Sequence, residues 1–180
     1  MLPPIWLQLA GPAARPAGHP DATRIVSGLY VGEYPTPDDC EWLRGLGVAA
    51  VLCLQDDADL GRKGLDLGEL KRAYEKAKLR FHRVPVADGD ATVLVAHLDA
   101  TVTWLAQRIE AGEEVYLHCN AGLNRAPTVA VAYLHVCHGM GLFEARDLVK
   151  SYPFGKPRGG WWNVSCQNGL PLAPAGVSPL

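Results

Sequence analysis

Val115-Tyr116-Leu117-His118-Cys119-Asn120-Ala121-Gly122-Leu123-Asn124-Arg125-Ala126-Pro127-Thr128 reads as a strand running into a tight loop and then a helix. Val115–His118 has the apolar β character of a short strand, and Ala126–His138 is a mostly apolar run of helical length. Cys119 opens the loop and Arg125 closes it six positions later. Backbone N–H groups of Asn120, Ala121, Gly122, Leu123, Asn124 and Arg125 can turn inward as a nest for an anion with three peripheral oxygens. The helix that follows aims its positive end at the same point. Gly122 tolerates angles that a Cβ forbids, and Asn124 is the next most tolerant type for a left-handed conformation. Arg125 offers a planar fork for two oxygens of one tetrahedral anion.

Working outward, the same alternation of strand and helix continues. Ile25–Val31 is a β-rich run interrupted by Gly28 and closed by Gly32, read as an edge strand. Thr36-Pro37-Asp38-Asp39 starts a short helix that Gly45 and Gly47 end. Val48–Leu54 is a continuous apolar strand covered on both faces. Leu67, Leu70, Tyr74 and Ala77 have helical spacing, and Phe81–Val86 is a further short strand. Leu94, Leu98, Val102, Leu105 and Ile109 mark a long amphipathic helix that stops before Gly112, and a last helix is predicted near Leu142–Ser151. The fold class is α/β, a central, mostly parallel sheet flanked by helices. Residues 1–22, rich in Pro, Ala and Gly, are expected to be a flexible arm, and 23–151 the domain. Residues 152–180, with five prolines and five glycines, are expected to be an irregular tail containing Trp161-Trp162.

The loop's residue types point to nucleophilic chemistry. A nest, a helix end and a guanidinium together favour a thiolate at Cys119, which is the reactive form of cysteine. In-line attack on a phosphate monoester would form a cysteinyl-phosphate, and the departing oxygen would need a proton. Asp88, in the loop Val86-Ala87-Asp88-Gly89-Asp90, is the candidate acid, and Asp90 is its rival. His118 is expected to brace the loop through a ring hydrogen bond. No metal and no cofactor are required. A module of another class, which binds phosphate groups without turning them over, uses the same nest.

Bulk properties narrow the classes further. The chain has 180 residues, 48% hydrophobic and 20% charged, with a formal net charge of −2. One sizeable core is expected, and no basic surplus recruits nucleic acid. No apolar run is long enough to span a bilayer. Cys40, Cys53, Cys119, Cys137 and Cys166 form no CxxC pair and no zinc-ligand spacing, so reduced thiols inside a cell are expected. The sequon Asn163-Val164-Ser165 matters only for a secreted protein.

His118-Cys119, five residues and Arg125 resemble the signature of the protein tyrosine phosphatase superfamily, and the compact size resembles its dual-specificity branch. Asp88 precedes Cys119 by 31 positions, a spacing similar to that branch's. The resemblance implies the cysteine-phosphatase fold, with Cys119 as nucleophile, Arg125 as phosphate binder and Asp88 as acid. Within the branch, Thr36-Pro37-Asp38-Asp39, Leu43–Val48, Cys53–Leu60, Gly64-Leu65-Asp66 and Arg125-Ala126-Pro127 look like the plant starch (phosphoglucan) phosphatases, and His118–Gly122 like the laforin-like enzymes. The substrate implied is phosphorylated glucan, with a phosphoprotein as the alternative, acted on by a monomer in a plastid or the cytoplasm. Three departures bear on the glucan. Arg62-Lys63 stand where those enzymes carry adjacent aromatics, Gly89 stands where another aromatic follows the acid, and 152–180 is too short for a carbohydrate-binding module. Ala126 replaces the hydroxyl residue common after the arginine, which implies slow hydrolysis of the intermediate. The resemblance also aligns Cys53 with a cysteine that forms a reversible disulfide with the nucleophile in the plant enzymes.

Overall fold

A computed structural model describes residues 18–152. Among the described residues twelve elements follow one another, and five of them are strands in the spatial order β1-β2-β5-β3-β4. β1 (Ala22–Val26) pairs antiparallel with β2 (Leu29–Gly32), and every other pairing is parallel. The predicted α/β class with a largely parallel sheet is the fold observed.

The single edge strand expected over Ile25–Val31 is in fact a hairpin. Val26 pairs with Leu29 across Ser27-Gly28, and Gly28 takes φ +87. A two-residue turn with a glycine at positive φ reverses the chain within a run whose residues are uniformly β-forming. A Cβ at Gly28 would also stand 2.5 Å from Ile109, so the turn packs against the long helix.

Pro37–Asp39 forms a single 3-10 turn that leads into α1 (Cys40–Gly45). β3 (Val48–Cys53) is buried on both faces, as its unbroken apolar run requires. Leu52 and Leu54 join the core beneath the long helices, whereas Val51 joins a second cluster with Leu43, Leu70 and Tyr74. α2 (Asp57–Lys63), absent from the sequence reading, is capped reciprocally by Asp56 and Asp59 and ended by Gly64 at φ +66. Two turns are too few to display a period. α3 (Leu67–Lys76) returns to β4 (Arg80–Arg83). That strand is offset from the Phe81–Val86 expected, although the Val84 and Val86 N–H groups beyond it still donate to the Cys53 and Leu54 carbonyls at 2.9 and 3.2 Å.

α4 (Ala91–Glu110), β5 (Glu114–His118), α5 (Arg125–His138) and α6 (Leu142–Ser151) complete the order. The expected arm and tail need trimming at their inner ends. His19 stacks on Trp42 and bonds Asp39 at 2.9 Å, Ala22 already belongs to β1, and the buried Tyr152 donates its hydroxyl to the Ile25 carbonyl at 3.2 Å. Trp161-Trp162, the sequon and Cys166 lie outside the described residues.

Candidate active site

The carboxyl ends of β5, β3 and β4 each release a loop toward one point. The loop after β5 is the 119–124 segment, and it delivers Arg125 as the first residue of α5. Gly122 takes φ +64, and a Cβ there would fall 2.8 Å from the backbone of Gly32. The loop is thereby pressed onto the end of β2, where the Tyr34 N–H donates to the Asn120 carbonyl at 3.1 Å. Among the described residues, no backbone carbonyl takes the N–H groups of Asn120 to Arg125. Those amides are free for an anion. Asn124 does not use the left-handed freedom expected of it. It caps α5 at φ −128, and its carbonyl accepts the Thr128 hydroxyl at 2.8 Å.

A cavity of about 170 Å³ is lined by Asp88, Cys119, Asn120, Ala121, Leu123, Asn124 and Arg125. The sequence reading thus named all seven lining residues. Cys119 lies at its floor, only 2% exposed. Arg125 is also buried, and burial alone would disfavour its charge. Cys119, Asp59 and Asp88 act the other way, and together they raise its affinity for the proton above the ordinary value. Its Nη1 is bound to the Val86 carbonyl at 2.6 Å, the Leu54 carbonyl at 3.3 Å and the Asp59 carboxylate at 2.5 Å. Its Nε is buried with no hydrogen-bond partner and stands 3.5 Å from Asp88 Oδ1. One edge of the guanidinium is anchored and the other is open, which fits a bidentate tetrahedral anion.

Asp88 and Asp90 separate cleanly. Asp88 is 47% exposed at the cavity, whereas the Asp90 carboxylate accepts the Val93 N–H at 3.0 Å as the cap of α4. His118 is buried under the loop, and its Nδ1 lies 3.2 Å from the Cys119 carbonyl, the bracing contact expected. Burial, with a smaller effect from the Arg125 charge, pushes its pKa down to about 4. The ring is neutral, and its Nδ1–H is the donor. Cys53 ends β3 opposite His118, the residue just before Cys119, and burial pushes its thiol up to about 11.

Asp59 was missed as a site residue. It lies fully buried on α2 and receives Arg125, the Asn120 side chain at 2.6 Å and Arg62. Arg62 therefore leans back into the site's support, and Lys63 lies over the Tyr34 ring at 5.0 Å. The available signal was the Asp56–Asp59 capping pair, but an aspartate at a helix start has an ordinary explanation in capping alone. A larger groove of about 330 Å³, lined by Glu41, Glu69, Arg72 and Lys76 among others, contains none of the loop residues.

Residues 29–158 match the family model described as dual specificity phosphatase, catalytic domain. Phosphoglucan phosphatase DSP4, amyloplastic, of Castanea sativa is 39% identical over 127 residues, covering 68% of this chain and 34% of that protein. The chain thus spans about a third of that relative's length. Dual specificity phosphatase 28 of Homo sapiens is 37% identical over 146 residues, covering 80% of this chain and 75% of that protein. Among solved structures, Tk-PTP in its active form superposes with a TM-score of 0.69 at 25% identity, covering 82% of this chain and 94% of the other. With a match that takes in the whole loop and the strands and helices around it, this chain belongs to the dual-specificity phosphatase family.

Proposed function

We propose that the chain hydrolyses phosphate monoesters through a cysteinyl-phosphate, with phosphorylated glucan as its substrate. The observation that carries the reaction is the half-anchored guanidinium: Arg125 keeps a buried Nε with no hydrogen-bond partner in the cavity it shares with Cys119 and the free loop amides. In the first step the Cys119 sulfur attacks phosphorus in line, and the P–O bond to the leaving group breaks. Loop amides and the open edge of Arg125 hold the three peripheral oxygens as charge shifts onto them. Asp88 gives its proton to the leaving oxygen. In the second step Asp88 takes a proton from water as that water attacks phosphorus, and the P–S bond breaks to release phosphate. Ala126 offers no hydroxyl to the departing sulfur, so the second step is the slower one.

The glucan rests on the likeness to the chestnut enzyme. A plastid is the compartment that the relative's name supports, and the cytoplasm is the alternative. A single chain suffices for the site as described. One observation favours a phosphoprotein instead: no aromatic ring lines the cavity. Gly89 holds φ +95, a conformation that suits glycine and excludes the aromatic of the glucan enzymes without a backbone change. Release of phosphate from phosphorylated amylopectin should exceed release from phosphoserine and phosphotyrosine peptides at equal phosphate concentration. The reverse order would transfer the enzyme to phosphoproteins.

Cys53 is proposed as the redox partner of Cys119, supported by its place at the end of the adjoining strand. Peroxide would oxidise the Cys119 sulfur to a sulfenic acid, and the Cys53 thiol would displace water from it to close the disulfide. A Cys53→Ser chain should lose the recovery that dithiothreitol gives the wild type after peroxide.

A further inference from the structure

Arg125 reaches its working position by more than its own loop. The loop after β3 supplies a buried polar train with a partner at each link. The Gln55 side chain, 1% exposed, donates its amide to Asn120 Oδ1 at 2.7 Å. Asn120 turns its own amide to Asp59 Oδ1 at 2.6 Å. Asp59 Oδ2 accepts Arg125 Nη1 at 2.5 Å. Both carboxylate oxygens are thus engaged, and Oδ2 also faces the Asp56 N–H at 3.4 Å. Arg83 fixes the outer end, donating Nε to the Gln55 carbonyl at 2.9 Å and Nη2 to Asp57 at 2.7 Å.

We infer that Asp59 is a positioning residue for phosphate transfer, acting with Asn120 and Gln55 to select which edge of Arg125 faces the phosphate. The inference rests on the phosphatase reading above. Its logic is geometric. A guanidinium has two edges that can grip a pair of oxygens. Asp59 and the Val86 carbonyl occupy Nη1, which removes the outer edge from use and leaves the Nε side for the substrate. Asp59 has a second effect as a buried counter-charge. It is the one fully buried carboxylate on a buried guanidinium, so its removal leaves Arg125 only the half-exposed Asp88 at 3.5 Å and frees it to turn toward other acceptors. The same train explains why the Asn120 side chain is not a substrate ligand. Its oxygen and nitrogen are both spent inside the protein, and Asn120 offers the phosphate only its backbone N–H.

Electrostatics agree with the geometry. Burial alone would raise the Asp59 carboxyl, but hydrogen bonds from Arg125 and Asn120 and the Arg125 charge outweigh it and hold the group below its ordinary value. The carboxylate is therefore ionised throughout the neutral range and is no proton donor. Its part is to hold.

The test compares the full chain with Asp59→Asn, Asp59→Glu and Asn120→Ala on a small aryl phosphate. Inorganic phosphate serves as competing anion, and rates are normalised to sites titrated by iodoacetate. Asp59→Asn should lose about 30- to 100-fold in kcat per titrated site, and inorganic phosphate should inhibit it several-fold more weakly, because a misaligned fork costs the transition state and the bound anion together. Asp59→Glu should recover part of the loss, and Asn120→Ala should lose about tenfold while keeping the Arg125–Asp59 pair. A wild-type rate per titrated site in Asp59→Asn, with unchanged phosphate inhibition, would overturn the inference. If Asp59→Asn does not fold, a wild-type rate and unchanged phosphate inhibition in Asn120→Ala overturn it equally. Failure of the wild type itself to release phosphate would instead sink the phosphatase reading, so the two failures are distinguishable.

Discussion

Two loops bring carboxylates to the same guanidinium, and they differ in every respect that matters. The loop after β3 holds Asp59 fully buried, 2.5 Å from Arg125 Nη1 and shared with Asn120. The loop after β4 holds Asp88 47% exposed, 3.5 Å from Nε and at the mouth of the cavity. The buried carboxylate is saturated with donors and cannot leave its place or take a proton cheaply. The exposed one is loosely held, open to water and to a leaving group. In the proposed reaction, distance and burial, more than residue type, separate the aspartate assigned to positioning from the one assigned to proton exchange.

That contrast can be broken at its centre first. Cys119→Ser should lower phosphate release from an aryl phosphate by roughly 10⁴-fold or more, since the proposed reaction runs through that sulfur. Substantial residual turnover would mean that the loops frame some other reaction. The floor of the site comes next. Neutral buried His118, with a pKa of about 4, stabilises the fold less as acid is added. The unfolded ring, ordinarily near 6.5, takes its proton first, so the contribution is whole above that pH and drains away as pH falls toward 4, by roughly 3 kcal/mol. Urea unfolding at pH 7 and pH 4.5 measures it, and His118→Asn, which can still donate to the Cys119 carbonyl, should flatten the difference.

Asp88→Asn should cost about 10²-fold with an alkyl phosphate and far less with a nitrophenyl phosphate, whose leaving group needs no proton. Equal losses on both would assign Asp88 to binding. The smallest effect sharpens the comparison most. Asp90→Ala, two residues on, should cost the fold about 1 kcal/mol through the lost cap of α4 and leave the leaving-group dependence untouched.

How legible this was depended on what each feature needs. The loop after β5 could be read because a nest, a nucleophile and a fork each demand particular residue types in a fixed order, and Cys119, Gly122 and Arg125 stand in that order. Long periodic elements such as α4 were equally plain, and a buried strand such as β3 announces itself by an unbroken apolar run. α2 was invisible because seven residues give no period, and with it went Asp59. The hairpin of β1 and β2 was hidden because Ser27-Gly28 interrupts a β-rich run without changing its composition. Asp88 and Asp90 were indistinguishable along the chain, for two aspartates beside a glycine look alike until one is seen capping a helix.

Sequence alone determined the chemistry of the anion loop and the α/β alternation, since both are written in contiguous residues whose backbone geometry restricts the choice. Only tertiary structure decided the rest: which aspartate meets the cavity, which one grips the arginine, and which edge of that arginine stays open. Those outcomes depend on where the ends of β3, β4 and β5 lie across the sheet, a relation between residues as much as 71 positions apart that no local pattern encodes.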